Sequence, residues 1–416
     1  MKADLFFLGG AREVGRSAVL LEIGKRILLD YGIKIHPETT QYPLPLHGFV
    51  DYAIVSHAHL DHCGYLPHLY EMAQPRAIMS FPTRAIAELL IEDSRNIQIM
   101  KGEEVFSKVS MKKAWKYSVL IPYDAHYRID KNTKLAFRDA GHIPGSSIVE
   151  IIANEKKIVY TGDFKLSETR LHKPAKTVRD VTLLIIESTY CNREHPDRKE
   201  LEKQIKEEVA DTIENGGCAL FPSFAVGRAQ ELVQILAETD YPIFLDGMAK
   251  AASEIIVEYP SYVKDHASLL NALNKAVWVK NDRQRMKISK SPSVVITTAG
   301  MLEGGPVLRY LPMLNKNSKI FLTGFQVEKT NGWQLLNTGK VVIDGIIYEP
   351  KLPVLYYDLS AHAGREDLLR FVKEANAEKI FCIHGDHCPE FAEELRGMGY
   401  DAYAPTLGEK IEVSLD

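Results

Sequence analysis

The stretch Ser56-His57-Ala58-His59-Leu60-Asp61-His62-Cys63-Gly64 constrains this chain more than any other. Four potential metal ligands, His57, His59, Asp61 and His62, fall within six residues. Upstream, Asp51 to Val55 reads as a short buried strand, and downstream Gly64 to Tyr70 reads as the start of a helix. On such a strand-to-helix turn alternate residues point the same way, and backbone N–H groups gather at the helix start. Neutral imidazole suits Zn²⁺, and mixed His/Asp ligation leaves positions open for water, as a catalytic site requires. A polar loop with one chance histidine is common. Four ligand-type side chains at H-x-H-x-D-H spacing behind an apolar strand point to a metal site.

With 416 residues the chain is too long for one compact domain, so two are expected. Net charge is −4, so no bulk positive field announces a polyanionic partner, and nucleic-acid binding has to use a local groove. Five cysteines (Cys63, Cys191, Cys218, Cys382, Cys388) are widely spread and form no C-x-x-C, which reads as reduced thiols in a cytoplasmic protein. The first residues are too short and acidic for a signal peptide. No apolar run approaches the ~18 residues of a membrane span, so no membrane partner is expected.

Residues 4–8, 18–23 and 26–30 read as apolar strands parted by Gly9-Gly10 and Gly24-Lys25. The third closes on Asp30, which on its own terms is a turn cap. Residues 34–49, with three prolines and with His36 and His47, look like a surface loop. Residues 83–120 are helical in pattern, with Ile86, Leu89, Leu90, Ile97 and Met100 taken as core. Strands return over 125–160. The turn Gly141-His142-Ile143-Pro144-Gly145-Ser146 sets a histidine between glycines at a strand end, which favours a ligand. The strand Ile158-Val159-Tyr160 runs into Gly162-Asp163, where a carboxylate can bridge two metals. Val181 to Ile186 ends in Glu187. Asp30, His57, Asp163 and Glu187 thus each close an apolar strand, and polar residues recurring at strand ends mark one shared active edge. Late in the chain, Tyr356-Tyr357-Asp358-Leu359-Ser360-Ala361-His362 and Lys379-Ile380-Phe381-Cys382-Ile383-His384 read as strands ending in histidine.

Between these, the texture alternates. Asp197–Glu214 reads as a charged helix, Cys218–Phe221 as a strand, Ala225–Thr239 as a helix, Val294–Thr298 as a strand, Val307–Leu314 as a helix and Ile320–Thr323 as a strand. This β-α-β alternation implies a parallel sheet covered by helices. Three strand ends run into small or polar loops carrying Ser223, Phe224, Gly227 and Arg228, then Thr298 and Gly300, then Thr323 and Gln326. Loops of this kind beside helix starts hold anions such as phosphate.

The His-x-His-x-Asp-His stretch resembles the signature of the metallo-β-lactamase fold. The segments Ser-Phe-Ala-Val-Gly-Arg-Ala-Gln-Glu-Leu (223–232), Ala-Gly-Met-Leu-Glu-Gly-Gly-Pro (299–306) and Thr-Gly-Phe-Gln-Val-Glu-Lys-Thr (323–330) look like the insertion of the β-CASP nucleases. The chain looks closer to the archaeal homologues of the cleavage and polyadenylation specificity factor endonuclease than to bacterial RNase J. The resemblance implies an α/β fold: a metallo-β-lactamase αββα sandwich over residues 1–194 and 350–416, with a β-CASP domain inserted at 195–349. Two departures stand out: Lys329 where the family usually has Gly, and Trp333 where Arg is common.

By resemblance, His57, His59 and His142 hold one zinc, and Asp61, His62 and His384 the other. Asp163 bridges them and Asp30 supports the ligand loop, giving two Zn²⁺ per chain. Two metals roughly 3.5–4 Å apart can share a water and lower its pKa towards ~7 for in-line attack on phosphorus, a step in which Asp61 takes part as ligand. His362 is then the general acid, and Glu187 orients it. A histidine at 384 is the RNA-processing pattern. The expected substrate is single-stranded RNA, its backbone held by the three loops. A homodimer and RNA-processing or exosome-type partners are further implications, and the tail 408–416 has a strand alternation that can pair within the domain or across a dimer. The competing readings are a DNA nuclease, a small-molecule metallo-hydrolase and a non-catalytic scaffold. The phosphate-type loops oppose the small-molecule reading and the complete ligand set opposes the scaffold.

Overall fold

The structure, a computed structural model, describes residues 2–35 and 39–415; His36 lies outside them. The chain divides into two compact units. The first comprises Met1–Glu168, Lys173–Glu194 and Ala361–Asp416, and the second Thr169–His172 and His195–Ser360.

The first unit is built on two seven-stranded sheets. One runs, in spatial order, Lys410–Ser414, Lys2–Gly9, Ala18–Glu22, Arg26–Leu29, Tyr52–Ile54, Arg76–Met79 and Ser118–Leu120. The other runs Ala402–Tyr403, Lys379–Ile383, Leu183–Glu187, Lys156–Tyr160, Ser147–Ala153, Thr133–Asp139 and His126–Arg128. Period-two alternation decides which face each residue serves. Ile158, Tyr160, Leu183, Ile185, Phe381 and Ile383 share one core with Leu5, Phe7, Leu21, Ile27 and Leu29 of the first sheet. The intervening Val159, Leu184, Ile186, Ile380 and Cys382 point to the other face, against the helices Arg365–Ala375 and Cys388–Gly397. Apolar residues at every position of these strands therefore reflect a sheet buried on both sides. Phe7 and Phe381 meet across the inter-sheet core with ring centroids 5.5 Å apart. This is the αββα sandwich that the sequence implies.

The tail strand pairs inside the chain: Lys410–Ser414 lies antiparallel to Lys2–Gly9, with Val413 opposite Ala3. In the long helix Phe81–Met100, Ile86, Ala87 and Ile91 are buried, Leu89 and Leu90 are partly buried, and Ile97 and Met100 are exposed, so the expected core stripe stops short of the last turns.

The second unit holds a six-stranded parallel sheet in the order Val277–Trp278, Ile243–Asp246, Ser293–Thr297, Cys218–Pro222, Lys319–Leu322, Val354–Tyr356. The sequence reading places the return to the first domain at residue 350. In the structure Val354–Tyr356 pairs with Lys319–Leu322, so that strand belongs to the inserted sheet and the unit runs on to Ser360. His362 consequently does not end a strand; it sits in the loop that enters the helix Arg365–Ala375.

Candidate metal centre

Strand ends of both sheets in the first unit deliver the ligand side chains to one place. His57 follows Tyr52–Ile54, His59 caps the short helix Leu60–Cys63, and Asp61 and His62 lie within it. His142 stands in the turn between Thr133–Asp139 and Ser147–Ala153, where Ser146 Oγ accepts the His142 and Ile143 N–H groups at 3.1 and 3.2 Å. Asp163 follows Lys156–Tyr160, and His384 follows Lys379–Ile383.

Three nitrogens converge: His59 Nδ1 is 3.2 Å from His57 Nε2 and 3.0 Å from His142 Nε2. Around a tetrahedral ion with Zn–N bonds of ~2.0–2.1 Å, donors stand about 3.3 Å apart. Asp163 Oδ2 lies 3.5 Å from His57 Nε2, 3.7 Å from His142 Nε2 and 3.3 Å from His62 Nε2. Its other oxygen lies 3.7 Å from His384 Nε2, which is also 3.7 Å from Asp61 Oδ2. The donors fall into two sets, His57/His59/His142/Asp163 and Asp61/His62/His384, with Asp163 reaching both.

Behind the donors, a second layer fixes which ring nitrogen faces the centre. Asp30 accepts four hydrogen bonds: from the Ser56 N–H, the Ser56 hydroxyl, His62 Nδ1–H and the Tyr160 hydroxyl, each at 2.7 Å. Because the Ser56 hydroxyl donates to Asp30, it accepts from His57 Nδ1–H at 3.0 Å. His142 Nδ1–H donates to the Ala361 carbonyl at 2.9 Å, and His384 Nδ1 is 2.8 Å from Ser17 Oγ. Sequence reading missed Ser56, Tyr160 and Ser17; the signal available was that Ser56 and Tyr160 flank ligand motifs at strand ends. Asp30 and His384 both adopt left-handed backbone (φ 58° and 50°), a cost that persists where the surroundings over-determine it. At Gly32 an added Cβ would lie 1.8 Å from the Asp61 carbonyl oxygen, so only glycine lets the Asp30 loop lie against the ligand helix. Replacing Asp30 by Asn is expected to lower zinc affinity by about 10–100-fold, read by competition with a chromogenic chelator; unchanged affinity would remove the supporting role assigned here.

Burial drives His57 and His142 well below the ordinary imidazole value and His59 down to about 4, so all three stand neutral and ready to ligate. His62 is equally buried, but the carboxylates of Asp163, Asp61 and Asp30 outweigh burial and raise it well above the usual range. Burial likewise opposes the Asp163 charge, yet His62 and His384 hold it well below ordinary carboxylates. The centre thus demands positive charge. His62 Nε2, Asp163 Oδ1 and His384 Nε2 are buried and have no hydrogen-bond partner among the described residues. Orphaned polar atoms of this kind cost about 1–3 kcal/mol each, and cations between the two donor sets satisfy all three. The donor chemistry, spacing and charge therefore fit divalent metal.

Beside the donors stands a third group, Asp163, Glu187 and His362. His362 Nδ1 lies 3.1 and 3.3 Å from the two Glu187 oxygens. Glu187, buried, also accepts the Phe164 N–H at 2.9 Å and the Thr189 hydroxyl at 2.5 Å. Burial disfavours the His362 cation, but Glu187 and Asp163 together raise it to about 9. A further residue, absent from the sequence reading, supports this loop: buried Lys165 donates from Nζ to the His362 carbonyl at 3.0 Å.

In the second unit, the loops after Cys218–Pro222, Ser293–Thr297 and Lys319–Leu322 stand at the carboxyl ends of three adjacent parallel strands. Ser223, Arg228, Thr298, Thr323 and Gln326 are all buried. Arg228 is turned inward, its guanidinium 2.5 Å from Glu231, and the Gly227 N–H is taken by Gln230 Oε1 at 2.7 Å. Gln326 donates to the Gly324 and Gly300 carbonyls, and Thr298 Oγ1 accepts the Met248 N–H. These side chains stitch the loops to one another, leaving Phe224 partly exposed and Phe325 half-exposed on their surface. Lys329 takes the left-handed conformation (φ 69°) that glycine adopts without steric cost. Lys329→Gly is therefore expected to leave the fold intact and raise stability by up to about 1 kcal/mol; urea unfolding that shows clear destabilisation would refute this. Trp333 lies in the first turn of the helix Asn331–Thr338, its N–H capped by Thr330 Oγ1.

Family models match three parts of the chain: an Anti-Pycsar protein Apyc1 model over residues 9–213, a Beta-Casp domain over 229–335, and a Zn-dependent metallo-hydrolase RNA specificity domain over 351–405. The chain is 38% identical to "Probable RNase MJ4" of Methanocaldococcus jannaschii over 99% of this chain and 100% of that one. It is 34% identical to "RNase aCSPSF2" of Saccharolobus solfataricus over 99% of this chain and 86% of that one. To the transcription termination factor FttA of M. jannaschii it is also 34% identical, over 94% of this chain and 68% of that one. A crystal structure of a protein of unknown function from Enterococcus faecalis V583 superposes with a TM-score of 0.65 at 15% identity, covering 99% and 100% of the two chains, a likeness of fold. With a family model on each side of the junction and relatives aligned across nearly its whole length, the chain belongs to the β-CASP family of metallo-β-lactamase-fold hydrolases.

Proposed function

We propose that the protein is a zinc-dependent ribonuclease that hydrolyses phosphodiester bonds of single-stranded RNA. The observation that carries this reading is the junction of two donor sets at Asp163, with a carboxylate-held histidine beside them. The RNase names of the two relatives above, and the RNA specificity model over residues 351–405, support RNA as substrate.

His57, His59 and His142 would hold one ion, and Asp61, His62 and His384 the other, with Asp163 shared. Bound there, a metal pair lowers the pKa of water towards ~7 and offsets charge building on the phosphoryl oxygens. The remaining work belongs to the chain. Asp30, Ser17 and the Ala361 carbonyl hold the imidazoles so that the donors need no reorganisation. Asp61, 32% exposed, faces solvent, as His59 does in part, and so meets arriving substrate. Glu187 accepts His362 Nδ1–H and favours the doubly protonated ring, so Nε2 carries the proton that the leaving 3′-oxygen requires. Lys165 and His142 hold the carbonyls of His362 and Ala361, fixing the acid's backbone against the ligand shell.

The homodimer, cytoplasmic location and RNA-processing partners remain part of this proposal. All five cysteines are free and buried, as reduced thiols require, and no helix among the described residues is long and apolar enough to cross a membrane.

The test is incubation with 5′-labelled single-stranded RNA and the matching DNA, with and without chelator. Zinc-dependent cleavage of RNA is expected, with internal fragments indicating endonuclease action and released mononucleotides 5′→3′ exonuclease action. Preferential cleavage of DNA would move the reading to the DNA branch. No cleavage of either by metal-loaded protein would overturn it.

A further inference from the structure

One segment of the second unit gathers four exposed cations within eleven residues. Lys280, Arg283, Lys287 and Lys290 are all exposed; Arg283 and Lys287, four apart, share one face of the helix Asp282–Ile288, with Lys280 just before its start and Lys290 in the turn after it. The opposite side is anchored: Ile288 is buried, and Arg285 turns in to Asp246 with contacts of 2.6 and 3.0 Å. Some basic groups of this unit are paired with acids, Lys319 with Glu208 and Asp211, Arg170 with Glu202 and Glu238, and Arg309 with Asp282, whereas Lys199, Lys316, Lys329, Lys340 and Lys351 stand exposed and scattered along the chain. None of the four stripe cations has an acidic partner among the described residues. The chain as a whole is acidic, with net charge −4, so the clustering is local.

Its position matters as much as its charge. Val277–Trp278 runs parallel to Ile243–Asp246 and leads directly to Lys280, so the stripe begins at the carboxyl-terminal edge of the sheet. That is the edge where the loops at 223–228, 298–301 and 323–326 stand, and where parallel α/β sheets bind ligands. In those loops Gln326 is held by the Gly324 and Gly300 carbonyls and Arg228 by Glu231. Lys280 stands at that edge, and the segment runs back from it to Lys290, shortly before the strand Ser293–Thr297 begins.

We propose that Lys280, Arg283, Lys287 and Lys290 form an accessory docking surface for the phosphate backbone of single-stranded RNA. The identity of the polyanion rests on the ribonuclease reading; the existence of the surface rests on the unpaired stripe. Binding of this kind is blind to sequence and falls steeply with salt.

The test compares the full chain with a K280Q/R283Q/K287Q/K290Q variant and a charge-retaining K280R/R283K/K287R/K290R variant. Binding of a labelled oligoribonucleotide is followed by anisotropy across a salt series, and cleavage is measured beside it. The neutralised variant is expected to bind more weakly at low salt, with the slope of log affinity against log salt reduced by roughly 0.7 for each cation removed, while the charge-retaining variant keeps the slope. An unchanged slope in the neutralised variant would overturn the docking surface even where RNA is cleaved normally. A patch-dependent slope without any cleavage would uphold the surface and sink the nuclease reading. No RNA binding by the unaltered protein would sink both.

Discussion

Replacing Asp163 by alanine is expected to bring RNA cleavage down to the background seen with chelator and to strip most of the metal from the protein. The carboxylate lies within 3.3–3.7 Å of His57, His62, His142 and His384, so both donor sets lose their shared member at once. The electrostatic loss compounds this. Asp163 is the leading opposite charge for His62, and the centre that remains is a cluster of buried imidazoles. The loss should exceed the ~10–100-fold typical of a supporting partner. Product gels together with metal analysis of the purified variant decide the matter. A variant that retained full metal and measurable turnover would show that the two sets do not depend on a shared carboxylate.

The second large effect falls on His362. His362→Asn is expected to lower kcat on RNA by about 10²–10⁴-fold, while a nitrophenyl phosphodiester, whose leaving group needs no proton, loses far less. Equal losses on both substrates would point to structural damage. The pH profile supplies an independent reading. In the metal-free protein His362 is raised to about 9, with burial opposing and Glu187 and Asp163 raising. An acid must be protonated to act, so activity is present below the pKa of His362 in the metal-loaded protein and is lost as pH rises through it. Glu187→Gln removes the carboxylate that Nδ1 faces and should move the falling limb to lower pH. A limb that stays in place would remove Glu187 from the assignment.

Much of this centre could be read from residue order because strand ends carry it. One apolar strand closing on a polar residue says little, but the recurrence marks a shared edge, and His57, Asp163, Glu187 and His384 all sit that way. His362 was singled out, but its supposed strand belongs to the inserted sheet; a run of Val-Leu-Tyr carries no mark of which sheet it will join. The supporting layer was largely invisible. The role of Asp30 depends on four donors from two distant segments, and that of Lys165 on a backbone carbonyl nearly two hundred positions away in sequence. Arg228 misled in the opposite direction. An arginine in a loop motif invites a phosphate, yet Glu231 one helical turn on draws it inward. The strands Ile243–Asp246 and Val277–Trp278, which complete the inserted sheet, are too short for periodicity to reveal.

The pairing of Lys410–Ser414 with Lys2–Gly9 has a consequence for when the protein becomes active. During synthesis the first strand waits with one edge open until residue 414 has left the ribosome, and His384 arrives only shortly before. The ligand helix and the Asp163 turn are separated from the general acid by the 166 residues of His195–Ser360, so the sandwich closes late and over a long loop. A nascent chain therefore carries His57, His59, Asp61 and His62 without the partners that complete the centre.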